Sequence, residues 1–386
     1  MSSFRRFKAK AILLALVLLL AGHFLVLQRT ENSTEEFLRA RGDSVEYFRM
    51  AEGSGPAPTP FKYRPLVPLL VSLMPLEADT GFLLVSYSAL FLCFLLLYHM
   101  LDRFGFEQWT ALSGLLVLFF SQATLYQFHN PFLTDAAGFL FLFLVFYSAA
   151  ERKVLLFATA ATAGLLCREA TLFVVPAYLH TRQFRAFVIV LLILLAVFLL
   201  PRILFQAPDT AEGYFAAYFR CAGELGRLEQ PLTYFKNVFF TWDFVWLSAL
   251  LGLVVVGKER LPFFLLALLF LGTGAFLSGL VATDVSRMFS LLAPPLVCLS
   301  AACLGRVRGR STFLWFAVLV FLAWRAIFSV PTVINPSAYT LAGSLTGRKL
   351  VLGLSLLLFF LCALVLRKDL KEGWGDWREL LGLGRS

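Results

Sequence analysis

The chain has 386 residues, of which 59% are hydrophobic and 15% are charged, and its mean hydropathy is +0.79. This composition excludes an ordinary soluble domain and predicts an all-α, polytopic membrane protein. The formal net charge of +10 is attributed to basic residues at the cytoplasmic membrane surface, and nothing in the sequence indicates nucleic acid as a partner.

Apolar runs long enough to cross a hydrocarbon core of about 30 Å predict about 10–11 transmembrane helices. The clear runs lie near 11–28, 81–101, 110–128, 131–149, 186–205, 239–256, 261–282, 286–304, 311–330 and 349–366. The first run follows a basic N-terminus and is interpreted as a retained anchor, with a cleaved signal peptide as the alternative. Residues 1–366 are predicted to form one membrane domain, followed by a short cytoplasmic tail at 367–386.

Two segments are predicted not to cross the membrane. Three prolines in Tyr63–Leu76 leave too few unbroken helical turns, so this segment is expected to form a helix on the outer surface. Val154–Leu179 is expected to be a re-entrant hairpin, because the basic clusters then fall on one side of the membrane. This topology places both termini in the cytoplasm, most simply at a bacterial inner (plasma) membrane. It leaves two large outer loops, at 29–80 and 206–238, which are expected to hold surface helices.

The first outer loop carries the strongest group of candidate site residues. Asp43 and Tyr47 are one helical turn apart and share a helix face, and Lys62 and Arg64 bring positive charge back to the same surface. A carboxylate in this position can accept a proton from a hydroxyl group as a general base. Alternatively, Asp43 and Glu46 form a capping box at a helix N-terminus, and one residue can serve both roles.

Ionisable residues at the edge of membrane spans supply further candidates, because a charge at a helix centre costs about 2.5–3.5 kcal/mol on insertion scales. Asp135 lies near the outer end of the fourth span, with His129 just before that span. It can serve a site or complement the helix dipole. Arg168 and Glu169 lie in the middle of the hairpin. They form either a mutually compensating ion pair or a phosphate-binding arginine that the glutamate orients.

A late outer turn contains Asp284 and Arg287. Asp284 can cap the following helix or contact substrate, and Arg287 can extend toward a phosphate group. Together with the first loop, these positions predict a site on the outer face of the membrane.

The placement of these residues resembles the GT-C superfamily of integral-membrane glycosyltransferases. The similarity lies mainly in residues 40–180 and is weaker at 283–296. Its elements are the acidic residue of the first loop, the segment Tyr-Arg-Pro-Leu-Val-Pro at 63–68, Asp135 at the edge of a span, and Arg168-Glu169 in the hairpin. It implies that Asp43 acts as base on an acceptor hydroxyl and that Lys62, Arg64, Arg168 or Arg287 holds the phosphate of a polyprenyl-phosphate sugar. The chain departs from larger members in lacking a sizeable soluble C-terminal domain and an Asp-x-Asp in the first loop.

The resulting hypothesis is an inverting transfer of sugar from a polyprenyl-phosphate donor to a glycan, lipid or protein acceptor at the outer membrane face. It calls for no cofactor and no metal, because arginines can hold the departing phosphate. Two other classes stay open. A transporter or flippase of a lipid-linked saccharide would need polar groups near the membrane midplane and in both halves of the chain. A non-catalytic assembly scaffold would tolerate replacement of Asp43.

Overall fold

The computed structural model of the chain describes residues 2–26, 42–55, 61–204, 231–281, 285–329 and 344–380. Within these ranges the regular structure is helical and contains no β-strand, which confirms the predicted all-α class. The α-helices are α1 Ser2–Leu25, α2 Gly42–Glu52, α3 Leu66–Ser72, α4 Ala78–Arg103, α5 Gln108–Phe120, α6 Gln122–His129, α7 Asp135–Ala150, α8 Val154–Cys167, α9 Phe184–Leu204, α10 Pro231–Trp242, α11 Phe244–Val255, α12 Leu261–Val281, α13 Val285–Phe289, α14 Ala293–Arg310, α15 Thr312–Ser329, α16 Leu345–Val365 and α17 Arg367–Leu380. Short 3₁₀ helices cover Phe61–Tyr63 and Ser290–Leu292, and a longer one covers Glu169–Thr181.

Each of the ten predicted runs overlaps a helix, but fewer of them are long, continuous spans. Within the described ranges, six helices are long and apolar enough to cross a membrane, or up to eight if two bent helix pairs are each counted as one span. The bends are 51° between α5 and α6, at Ser121, and 70° between α10 and α11, at Asp243. The chain is therefore a multi-pass membrane protein by helix length and composition, with two interrupted helices that the apolar runs did not reveal.

The central helix of the bundle is α14, which packs against α11. Pro294 and Pro295 occupy its first turn, where missing amide donors cost little. Further along, Ser248 of α11 donates a hydrogen bond to Ser300 of α14 at 2.9 Å. Gly252 of α11 lies directly on the α14 backbone, where a Cβ atom would overlap the Leu299 carbonyl. Small residues allow this close approach of two helices.

We expect Gly252→Ala to destabilise the bundle, because the added methyl group meets backbone rather than a movable side chain. Overpacking of this kind costs about 1–3 kcal/mol, which thermal unfolding in detergent would detect as a lower midpoint. Gly272→Ala in α12 is the matched control, since a Cβ there meets nothing within 4 Å. Equal midpoints for the two variants would contradict the close packing.

Helix α8 and the 3₁₀ helix Glu169–Thr181 form an antiparallel hairpin that reverses at Arg168. The Phe157 and Tyr178 rings stack at 4.4 Å near its base, and Gly164 faces Thr171 near its tip. Arg168 is extended (φ −161°, ψ 123°), which ends α8. The chain thus turns back where the sequence predicted a hairpin, and the tip carries Arg168 and Glu169.

The segment predicted as a surface helix is short. Helix α3 has seven residues, a length of about 10 Å at 1.5 Å per residue, which is too short to cross a membrane. Val67 and Val71 are buried against the bundle, whereas Leu69 and Leu73 are exposed. The outer loop predicted at 206–238 lies outside the described residues up to residue 230, and its last part belongs to α10. The tail predicted at 367–386 contains α17, whose Trp377 contacts the Leu253 carbonyl at 3.4 Å.

The two ends of the bundle differ in their polar groups. At one end, Arg103 pairs with Glu151 at 3.3 Å, and Lys153 donates to the Tyr147 hydroxyl at 3.0 Å. The opposite end holds the tip of the α8 hairpin and the start of α7. The candidate site lies at this second end.

Candidate functional site

Asp135, the first residue of α7, is the buried centre of the site. Its side chain is 0% exposed. Arg287 of α13 donates from Nε to both carboxylate oxygens at 3.0 Å, and from Nη2 to Oδ2 at 2.5 Å. Arg168, at the hairpin tip, makes a second salt bridge from Nη1 to Oδ1. Asp135 therefore lies between two arginines from distant parts of the chain, and these supply the charge compensation that a buried carboxylate needs.

Asp43 is the accessible carboxylate of the same cluster. It lies in the first turn of α2, and its Oδ2 accepts a hydrogen bond from Arg287 Nη1 at 2.6 Å. Its side chain is 40% exposed, and no described residue donates to its other oxygen. Glu46, the second member of the possible capping box, pairs with Arg49 at 3.2 Å. Arg287 therefore links one accessible and one buried carboxylate.

Glu169 is the third carboxylate of the site and is shared by two arginines. Arg64 donates from Nε to Oε2 at 2.9 Å, and Arg202 donates from Nη2 to Oε1 at 3.1 Å. Arg64 also donates to the Tyr47 hydroxyl at 3.1 Å, and Thr134 donates to the same hydroxyl at 3.4 Å. Tyr47, which shares the predicted face with Asp43, is thus a buried connection between α2 and the start of α7.

The predicted pairing of Arg168 with Glu169 is wrong. Arg168 contacts Asp135, and Glu169 contacts Arg64 and Arg202. The extended backbone at Arg168 explains the difference, because successive side chains of an extended chain point in opposite directions. Arg168 and Glu169 therefore join two halves of the site, one around Asp135 and the other around Glu169. We call the whole set the carboxylate–arginine network: Asp43, Tyr47, Arg64, Thr134, Asp135, Arg168, Glu169, Arg202 and Arg287.

Three predicted residues are not placed in this network. Lys62 Nζ lies 5.1 Å from the centre of the Tyr63 ring. His129 is buried at the end of α6. Asp284 lies outside the described residues.

Arg202 and Thr134 belong to the network but were not predicted. Arg202 lies near the end of an apolar run, and this position was the available signal, since a charge in such a run is costly. Thr134 carries no comparable signal, because a threonine near a helix start is common. Only its contacts with Tyr47 and the Cys167 carbonyl, at 3.4 and 3.1 Å, connect it to the site.

A second buried ion pair lies where the two interrupted helices bend, and it was not predicted from the sequence. Arg325 of α15 forms a salt bridge with Asp243, and it also donates to Gln122 at 3.4 Å. Asp243 has φ 43°, an unusual conformation for a residue with a side chain. Within the described ranges, Asp243 Oδ1 and Arg325 Nη1 are buried without a hydrogen-bond partner. The neighbouring Trp242 donates from its indole to the Phe289 carbonyl at 2.9 Å, near Arg287.

The network combines one accessible carboxylate with four arginines and two further carboxylates that hold them in place. Such a set can accept a proton and can stabilise an anion such as phosphate. In the described part of the chain, no group of three or more His, Cys, Asp and Glu residues could hold a metal ion.

Comparison with protein-family models, with curated proteins and with solved structures finds no match for this chain.

Proposed function

We propose that the protein is a GT-C-like membrane glycosyltransferase that moves a sugar from a polyprenyl-phosphate donor to an acceptor hydroxyl. The observation that carries the proposal is the position of Asp43. It is an accessible carboxylate, oriented through Oδ2 by Arg287, beside buried arginines. A base and concentrated positive charge are the two elements that this reaction needs.

The reaction is a single displacement at the anomeric carbon. Asp43 Oδ1 takes the proton of the acceptor hydroxyl while the acceptor oxygen forms a bond to that carbon. The bond from the carbon to the phosphate oxygen breaks, and the phosphate leaves with the electron pair. Attack opposite the leaving group inverts the anomeric configuration. Arginines stabilise the negative charge that grows on the departing phosphate.

The topology of the proposal places this site at the outer face of the membrane, with both termini in the cytoplasm. Basic groups at the opposite end of the bundle support this orientation through the positive-inside rule. They are Arg103, Lys153 and Arg260, the last of which donates a hydrogen bond to the Phe104 carbonyl at the end of α4. The hairpin tip at Arg168 then reaches the outer leaflet, where a lipid-linked donor can approach from the side.

Sugar transfer by the wild-type protein is the direct test. Membranes from cells that produce the protein are supplied with a radiolabelled polyprenyl-phosphate sugar pool and extracted acceptors, beside membranes from cells without it. Label should move from the lipid fraction into an acceptor fraction only when the protein is present. Equal label in the acceptor fractions of both membranes would overturn the proposal.

A transporter of a lipid-linked saccharide is the second candidate, and the Asp243–Arg325 pair favours it. Interrupted helices that meet at a common site are typical of transporter binding sites, and Arg325 contacts both bends, through Asp243 and through Gln122. Proteoliposomes with a fluorescent lipid-linked saccharide separate the two candidates. Movement between leaflets without an acceptor, lost in Asp243→Asn, would support transport.

A further inference from the structure

We propose that Arg64 and Arg202 bind the phosphate of the lipid donor, and that the Glu169 carboxylate competes with this phosphate for the two guanidinium groups. The lipid nature of the ligand rests on the proposed function. The anion site itself rests on the contacts of Glu169. If Glu169 competes with the phosphate, removing the Glu169 charge should increase the affinity for phosphate.

The contacts of Glu169 define the geometry of the site. Each of its two oxygens accepts a hydrogen bond from a different arginine. Oε2 accepts from Arg64 Nε at 2.9 Å, and Oε1 accepts from Arg202 Nη2 at 3.1 Å. The two guanidinium groups therefore converge within the width of one carboxylate. A phosphate presents several oxygens at similar spacing, and arginine forks match them well. Phosphate can thus take the same donors that Glu169 uses.

Arg202 is held in a fixed position by groups other than Glu169. Its guanidinium lies 4.3 Å from the Tyr63 ring centre and 3.7 Å from that of Phe198. Nη1 also donates to the Phe198 carbonyl at 2.7 Å. These contacts orient the arginine when the carboxylate moves away. A pre-oriented arginine loses less freedom on binding an anion.

The surroundings of Arg202 suit a ligand with an anionic head and an apolar chain. Helix α9 turns Arg202 inward, with its side chain only 11% exposed. On the same helix, Leu200 and Ile203 are 55% and 63% exposed and face outward. A lipid lying along the outer surface of α9 would therefore have its head group close to Arg202.

The other arginine pair is less suited to exchange its partner. Arg168 and Arg287 hold Asp135, whose side chain is 0% exposed, whereas that of Glu169 is 14% exposed. Displacing Asp135 would leave a fully buried charge without compensation, which is strongly unfavourable. Glu169 is nearer to solvent and can rotate away at a lower cost. The phosphate is therefore assigned to the Glu169 side of the network.

The charge on the phosphate also changes during the proposed reaction. A sugar–phosphate–lipid diester carries one negative charge, and the lipid monophosphate released carries about −1.5 to −2 at neutral pH. Two arginines bind the more highly charged form more strongly. This difference favours departure of the phosphate, since groups that bind the transition state better than the substrate raise the rate.

Binding of farnesyl phosphate to the full-length protein in detergent tests the proposal, with farnesol and inorganic phosphate as parallel ligands. We expect Glu169→Gln to lower the Kd for farnesyl phosphate about tenfold and Arg202→Gln to raise it about tenfold or more, since hydrogen bonds to charged groups contribute on this scale. Arg202→Lys keeps the charge but loses the fork and should give an intermediate Kd. The matched controls are Glu151→Gln and Arg103→Gln, which break an ion pair at the opposite end of the bundle.

The possible outcomes separate this proposal from the proposed function. If wild type binds farnesyl phosphate but Arg202→Gln binds it equally well, the phosphate site is wrong and the proposed function stands. Weaker binding by Glu169→Gln would overturn the competition and make Glu169 a structural partner. Inorganic phosphate binding as tightly as farnesyl phosphate would overturn the lipid ligand. Wild type that binds farnesyl phosphate no better than farnesol would contradict the proposed donor, and the phosphate site with it.

Discussion

Asp43→Asn is expected to lower sugar transfer about 10²–10⁴-fold, the range that a general base contributes. The amide keeps the size of the side chain but cannot take the proton of the acceptor hydroxyl. Asp43 is 40% exposed and contributes one of the two carboxylates on Arg287, so the variant should still fold. Transfer is measured at matched protein level, with detergent-solubilised size-exclusion profiles as the check on folding.

Glu46→Gln is the matched control for Asp43. It lies one turn further along α2 and also pairs with an arginine, Arg49. Its transfer activity should stay within about twofold of wild type, because surface ion pairs contribute only about 0–1 kcal/mol. Undiminished transfer by Asp43→Asn would remove Asp43 as the base and leave it as a partner of Arg287. Equal losses in the two variants would indicate damage to α2 rather than to the chemistry.

Asp135→Asn is expected to produce the largest loss of stability, about 3–5 kcal/mol, the cost of removing one partner from a buried ion pair. The neutral amide leaves Arg168 and Arg287 facing each other with less compensation. The loss should appear as a lower midpoint of thermal unfolding in detergent and as a lower yield of folded protein.

Asp102→Asn provides the comparison for Asp135. Asp102 is exposed near the end of α4, at the opposite end of the bundle. Its replacement should shift the midpoint little, because surface substitutions usually stay within about 0.5 kcal/mol. A midpoint for Asp135→Asn as high as that for Asp102→Asn would show that the buried carboxylate does not hold the two arginines together.

Much of the fold follows from local features of the sequence. Long apolar runs predict helices because the bilayer core admits few other structures, and every predicted run overlaps a helix. Prolines limit Tyr63–Leu76 to a short helix, and the charged pair at Arg168 marks the reversal of the hairpin. The interruptions at Ser121 and Asp243 were not predicted, because the hydrophobic runs at 110–128 and 239–256 each extend across the break.

The amino-acid sequence alone is enough to identify a multi-pass helical membrane protein. It drew attention to Asp135 and Arg287, since charges beside apolar runs are costly and therefore informative, and to Asp43 through its polar loop and its helical spacing from Tyr47. The partners of these charged residues depend on the tertiary structure. Arg287 contacts carboxylates 152 and 244 residues away, and Glu169 takes Arg64 and Arg202 rather than its neighbour. Hydrophobicity is a local property of the chain, whereas the pairing of charges depends on how distant helices pack.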